Sequence, residues 1–181
     1  MASGHGNILF VDDADLMDRS TMCQMLDFVK NGTVLAERDG ISGSYPCDTV
    51  LIATAGTDGS EMSPHILDRF DLCAYAFYPE KSSERIEILR RSQAFCRNPE
   101  EFCSEYGKKQ KELSDSVLKA RKILPYVTVS DELFSIITEL CGRMGADGHR
   151  GEIAMYRTSR ALAALAGRDE VTAKDIEKAA S

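Results

Sequence analysis

Ile8-Leu9-Phe10-Val11-Asp12-Asp13 is the stretch on which the reading of this chain turns: four apolar residues that end at once in paired acids. A run of this kind suits a buried strand, and its carboxyl end would deliver two carboxylates to the edge of a sheet. Beyond it, Asp18 is placed to cap a helix in which Met22, Met25, Leu26 and Val29 recur at helical spacing. Asn31-Gly32 supplies the stop of that helix. Thr33–Glu37 and Ile41–Tyr45 flank Arg38-Asp39-Gly40, where Asp-Gly is a strong two-residue hairpin signal. Thr49–Ala55 is a second apolar, β-branched run and reads as another buried strand. Leu72–Tyr78, closed by Pro79, is the third strand candidate.

After Pro79 the pattern changes from strands with helices to helices alone. Glu80–Arg97 carries helical apolar spacing at Ile86, Leu89 and Phe95. Asn98-Pro99-Glu100-Glu101 reads as a cap with proline in the first turn of a further helix. Glu112–Leu124 stops before Pro125, Asp131–Met144 at Gly145, and Ile153–Ala166 at Gly167; Thr172 with Asp175 begins a last short helix. The expected architecture is an α/β piece over residues 1–79 joined to an all-α piece over 80–181. No internal repeat or low-complexity segment interrupts it.

Composition narrows the function classes. The formal charge of the 181 residues is −7, which argues against broad, sequence-independent nucleic-acid binding. Arg85, Arg90, Arg91, Lys108, Lys109 and Lys111 lie near one another in sequence, as either a local basic patch or a solvated helix face. No apolar run approaches the about 18 residues of a membrane helix, and the opening Met-Ala-Ser-Gly-His-Gly lacks the pattern of a secretory signal. The six cysteines form no CxxC pair and read as reduced thiols, mostly buried, in a cytoplasmic protein. His5, His65 and His149 are too dispersed to suggest a metal site.

Three elements could carry chemistry. Asp12-Asp13 at a strand end is what a nucleotide triphosphatase needs, one carboxylate for Mg²⁺ on the phosphates and a base for the attacking water; a solvated acidic loop has the same pattern. Arg69, within Leu67-Asp68-Arg69-Phe70-Asp71-Leu72, stands beside an apolar anchor that could hold it at a subunit edge; a local Arg–Asp pair is the alternative. Arg150, within Gly148-His149-Arg150-Gly151-Glu152, opens a helix, where the backbone favours anions; an ordinary helix entry would look the same.

Taken in order, these elements resemble the AAA+ ATPase subunit I of magnesium chelatase over nearly the whole chain. The resemblance is most specific in Glu37-Arg38-Asp39-Gly40-Ile41-Ser42 with Pro46, in Leu67-Asp68-Arg69-Phe70, and in Arg150-Gly151-Glu152 followed by Arg157 and Ser159-Arg160-Ala161-Leu162-Ala163-Ala164-Leu165. The closing Gly167-Arg168-Asp169-Glu170-Val171 also fits. The resemblance implies an incomplete AAA+ (P-loop type) parallel sheet followed by an all-α lid domain. It further implies that Asp12 is the Mg²⁺-binding acid of Walker B, that Asp13 stands at the catalytic glutamate, and that the Asp39-Gly40 hairpin precedes sensor 1. Arg69 matches the arginine finger that reaches a neighbouring subunit, and Arg150 the sensor 2 arginine that touches the chain's own ATP. The implied cofactors are ATP and Mg²⁺. The implied partners are other AAA+ chelatase subunits in a ring, working in porphyrin biosynthesis, with neither nucleic acid nor membrane.

The departures from the family pattern shape the functional expectation. No GxxxxGK[ST] occurs in the sequence, so the loop that cradles phosphates would have to come from elsewhere, such as a separate chain. Charge-assisted hydrogen bonds contribute about 1.5–3 kcal/mol each, so losing three weakens nucleotide binding roughly 10³-fold or more. Asp13 is one methylene shorter than glutamate, and a displacement of about 1 Å in a positioning group costs ~10²-fold in rate. Gly56 occupies the place of the sensor 1 asparagine; Thr54 and Thr57 are the nearby hydroxyls, and neither is assigned its role. The chain is therefore expected not to hydrolyse ATP on its own. The alternative is a non-catalytic module donating Arg69 to a partner. Thr49–Ala55 is expected to show a bare apolar edge, covered either by Leu72–Tyr78 or by another polypeptide.

Overall fold

A computed structural model of the chain describes residues 7–38, 41–56, 62–146 and 148–181. It divides into two compact units, Met1–Phe70 and Asp71–Ser181, so the division falls nine residues before Pro79.

The first unit begins with strand β1 (Asn7–Val11), a 3₁₀ turn at Ala14–Leu16, and helix α1 (Arg19–Asn31). The Asp18 carboxylate accepts the Thr21 N–H at 3.0 Å and so caps α1. Gly32, at φ +65°, ends it in the left-handed conformation that a residue with a Cβ adopts only with strain. Strands β2 (Thr33–Arg38) and β3 (Ile41–Pro46) pair antiparallel with Arg38 opposite Ile41; the Asp39-Gly40 turn lies outside the described residues. Strand β4 (Thr49–Ala53) lies parallel to β1, with Leu9 opposite Leu51 and Val11 opposite Ala53.

Pleating sends alternate residues of this two-stranded sheet to opposite faces. On one face, Val11 and Leu51 join Met22 and Leu26 of α1 and Ile66 in a small core. The other face is bare: Ile8, Phe10, Val50 and Ile52 are 67%, 59%, 57% and 46% exposed. The short helix α2 (Pro64–Leu67) follows and brings in Ile66.

The second unit begins with residues 71–80, which contain no strand. Leu72–Tyr78 is thus neither the third strand nor the cover of β4, and Leu72, Tyr75, Phe77 and Tyr78 all stand exposed. An extended segment becomes a strand only through a hydrogen-bonding neighbour, and the sheet containing β4 has two strands among the described residues. Helices follow: α3 (Ser82–Arg97), α4 (Pro99–Ile123), α5 (Asp131–Arg143), α6 (Arg150–Leu165) and α7 (Ala173–Ala180). Helix α3 forms where its spacing places it, yet buries none of its residues; its Phe95 meets Phe102 of α4 edge-on at 5.7 Å. The stretches around Pro99 and Glu112 are one continuous helix of 25 residues that runs through Gly107, since a single interior glycine costs only about 1 kcal/mol, and Pro125 falls in the 3₁₀ turn Leu124–Tyr126 that follows.

The core of this unit lies among α4 to α7: Ala120, Val127, Ile137, Cys141, Met155, Ala163, Ala164, Val171 and Ile176. Arg160 of α6 holds the end of α4 to it, donating to the carbonyls of Leu124 at 2.8 Å and Val127 at 3.1 Å while lying over the Tyr156 ring. The cysteines are less buried than expected. Cys141 alone is in the core, where burial and the nearby negative charge of Glu152 raise its pKa, whereas Cys73, Cys96 and Cys103 are exposed. Among the described residues no helix is long and apolar enough to cross a membrane.

Candidate functional site

The carboxyl ends of β1 and β4 meet in a polar knot. Thr54 continues the ladder one step past β4: its N–H donates to the Val11 carbonyl at 2.9 Å, and its own carbonyl accepts from Ala14 N–H at 2.8 Å. Its hydroxyl accepts the Asp13 N–H at 3.0 Å and donates to Asp12 Oδ1 at 2.5 Å. Two residues on, the Gly56 N–H donates to Asp15 Oδ1 at 3.1 Å. Asp13 sits at φ 50°, ψ 50°, the one non-glycine residue with positive φ among those described. Aspartate tolerates this left-handed region better than most residues.

The structure therefore brings together Asp12, Asp13 and Gly56, three of the residues singled out in the sequence. Asp12 and Asp13 are exposed, as is Gly56, which has no side chain and whose backbone N–H is given to Asp15. Thr57 lies outside the described residues. The donors at this end are carboxylate and hydroxyl oxygens, the set a hard cation prefers. Among the described residues no three His, Cys, Asp or Glu side chains cluster as a self-sufficient metal site. Mg²⁺ is ordinarily held by one or two carboxylates together with substrate phosphates, and the residues present fit that arrangement.

Arg69 follows α2 by two residues, and its guanidinium is engaged within its own unit. It donates to the Cys23 carbonyl at 3.3 Å and pairs with the Asp27 carboxylate, both on α1. The Arg69 side chain is 18% exposed, against 57% for Asp27. The alternative offered by the sequence was a local Arg–Asp pair; the ion pair found joins residues 42 apart. No local spacing rule reaches that far, so Asp27 was missed. Asp15 was missed too, although its place two residues after Asp13 was a usable signal.

Arg150 belongs to the second unit and is the first residue of α6. The preceding His149 accompanies it with an Nδ1 contact of 2.9 Å to Glu152 Oε2. Farther along the same unit, Arg168 forms a two-pronged pair with Asp175 at 2.9 and 2.7 Å. Asp175 also accepts from the Thr172 N–H and hydroxyl, both at 2.8 Å. Arg168 first, then the Thr172 donors, hold the Asp175 carboxyl down at about 2 against the cost of its burial.

Comparison with known proteins gives this arrangement a class. A family profile described as AAA lid domain matches residues 135–181. A crystal structure of a candidate ATPase from Cytophaga hutchinsonii superposes with a TM-score of 0.68, covering 96% of this chain and 56% of that one at 22% identity, a likeness of fold alone. The molecule has an AAA+ ATPase-like fold, a small parallel sheet followed by an all-α lid.

Sequence relatives narrow the class. The chain is 33% identical over 179 residues to the magnesium-chelatase subunit ChlI homolog of Methanocaldococcus jannaschii, covering 99% of this chain and 49% of that protein. It is 36% identical over 176 residues to the chloroplastic magnesium-chelatase subunit ChlI of Nicotiana tabacum, covering 97% and 41%. Over nearly its whole length the chain is similar to magnesium-chelatase subunit I proteins, and it spans about half the length of the curated relatives it matches.

Proposed function

We propose that these residues are the Walker B to sensor 2 portion of a chelatase-type ATP-driven motor, acting in metal insertion into a tetrapyrrole with other AAA+ subunits. In this reading Asp12 holds Mg²⁺, Asp13 and the Gly56 backbone face the attacking water, and Arg150 touches the nucleotide from the lid. Arg69 reaches a neighbouring subunit after leaving Asp27. The observation that carries the reading is the joining of Asp12 and Asp13 to the end of β4 through Thr54, which sets a carboxylate pair where phosphates and Mg²⁺ would meet.

Because the sequence holds no phosphate loop, the 181 residues alone should bind nucleotide poorly. Calorimetric titration with Mg²⁺ and a non-hydrolysable ATP analogue should give no heat of binding at micromolar concentration. Micromolar binding would defeat the claim that a phosphate loop from outside these residues is needed.

A second reading is a non-catalytic module that lends Arg69 to an active neighbour. The short acid at Asp13 and the absent side chain at Gly56 favour it, since both positions serve the chain's own hydrolysis. Mixed with an intact magnesium-chelatase subunit I, the chain should then alter ATP turnover, and Arg69→Ala should abolish the effect. An undiminished effect with Arg69→Ala would eliminate the donor role.

A further inference from the structure

The hydroxyl of Thr54 touches both acids of the proposed site. A hydroxyl has one proton to give and two lone pairs to offer. Here the proton goes to Asp12 Oδ1 at 2.5 Å, and a lone pair takes the Asp13 N–H at 3.0 Å. The hydroxyl is itself fixed by its backbone, which is bonded on one side to Val11 and on the other to Ala14. The Asp12 carboxylate is thus tied through Oδ1 to a rigid strand end. Oδ2 is left for a cation.

The geometry points to Thr54 as the positioning residue for Asp12 in the divalent-cation site. It acts on the ligand and not on the cation. This inference rests on the proposed role of Asp12, and it gives β4 a polar contribution to the site in a chain whose sensor 1 position is Gly56. Hydrogen-bonding partners that orient a metal's direct ligands ordinarily change affinity by about 10–100-fold when removed. Valine matches the shape of threonine but would leave the Asp12 carboxylate without its donor and the Asp13 N–H without its acceptor. Serine would keep both bonds.

The test uses the full 181-residue chain and Mn²⁺ alone as the probe, read by paramagnetic broadening of backbone amide signals in NMR titrations, which detects millimolar binding without nucleotide or turnover. Wild type should show selective broadening at Asp13, Ala14 and Ala55. Asp12→Asn should lose it, Thr54→Val should shift the titration midpoint upward about tenfold, and Thr54→Ser should stay within about twofold of wild type. A purely structural Thr54 would lower the melting temperature of Thr54→Val and leave its Mn²⁺ midpoint in place. That result, with Asp12→Asn still losing the broadening, overturns the role of Thr54 and spares that of Asp12. Persistent broadening in Asp12→Asn overturns the proposed function of Asp12 and this inference with it. A tenfold loss in Thr54→Ser would overturn the hydroxyl as the cause. Should Thr54→Val fail to fold, Thr54→Ala takes its place with the same expected shift.

Discussion

Single residues in this chain differ sharply in how far they act. Asp175 works within one turn and one loop, where Arg168 and Thr172 hold its carboxyl at about 2 from an ordinary 3.8. A carboxyl whose pKa is depressed on folding stabilises the native state above its unfolded pKa, and that contribution fades as pH falls through the folded value. Nearly two units correspond to about 2 kcal/mol at neutral pH, lost between about pH 4 and pH 2. Thermal unfolding of wild type and Asp175→Asn should therefore differ at pH 7 and converge toward pH 2; a gap independent of pH would refute the assignment. Arg168–Asp175 could be anticipated from the sequence only in part, through the Thr172–Asp175 capping pattern. Arg69–Asp27 could not be, since its partners are brought together by the packing of α2 on α1 and by nothing in their spacing.

At the scale of elements, the legible features were those that a helix or turn decides locally. The Asp18 cap, the Gly32 stop and the glycine ends at Gly145 and Gly167 stand as the sequence predicts. Strands form before Asp12 and from Thr49, but β1, expected to be buried, exposes four of its five residues because nothing among the described residues covers its outer face. Leu72–Tyr78 was misread because apolar, aromatic composition suits a strand while strand formation depends on a neighbour that no residue in the segment encodes. Helix α3 shows the same limit: its periodicity specifies a helix but not what covers the apolar positions. The clasp made by Arg160 was also invisible, since its acceptors are backbone carbonyls 33 and 36 residues away. Removing it with Arg160→Met should lower the unfolding free energy by about 2 kcal/mol, because two carbonyls lose a charged donor together. Arg160→Lys should recover less than half of that, lacking the planar fork. Urea titration followed by helical circular dichroism measures both, and full recovery by lysine would contradict the two-carbonyl clasp.

On the scale of the whole molecule, the two units are unequally endowed. Among the described residues the first packs five buried ones beneath a two-stranded sheet whose other face is open. The second gathers nine among the described residues, with Ile137, Ala163, Ala164 and Ile176 at 2% exposure or less. Local opening is easiest where buried apolar contact is scarce. Hydrogen exchange on the intact chain should show α5 and α6 amides exchanging at least about tenfold more slowly than those of β1 and β4. Equal protection would mean that the open sheet face is covered in solution. The family and the lid could be read from motifs, because those motifs are contiguous; the uncovered face could not, because it depends on what lies against a strand.

The left-handed backbone at Asp13 constrains how this site can change by substitution. Short polar side chains that bond to their own backbone tolerate that region, and a longer acid does so less readily. The chain geometry itself thus selects the smaller of the two acids. Glutamate at this position would first require residues 12–16 to relax toward an ordinary conformation, giving up the Asp13 N–H bond to Thr54. Glycine would ease the backbone and discard the charge. A change to the longer acid therefore involves the neighbouring turn, so the turn and the acid must change together.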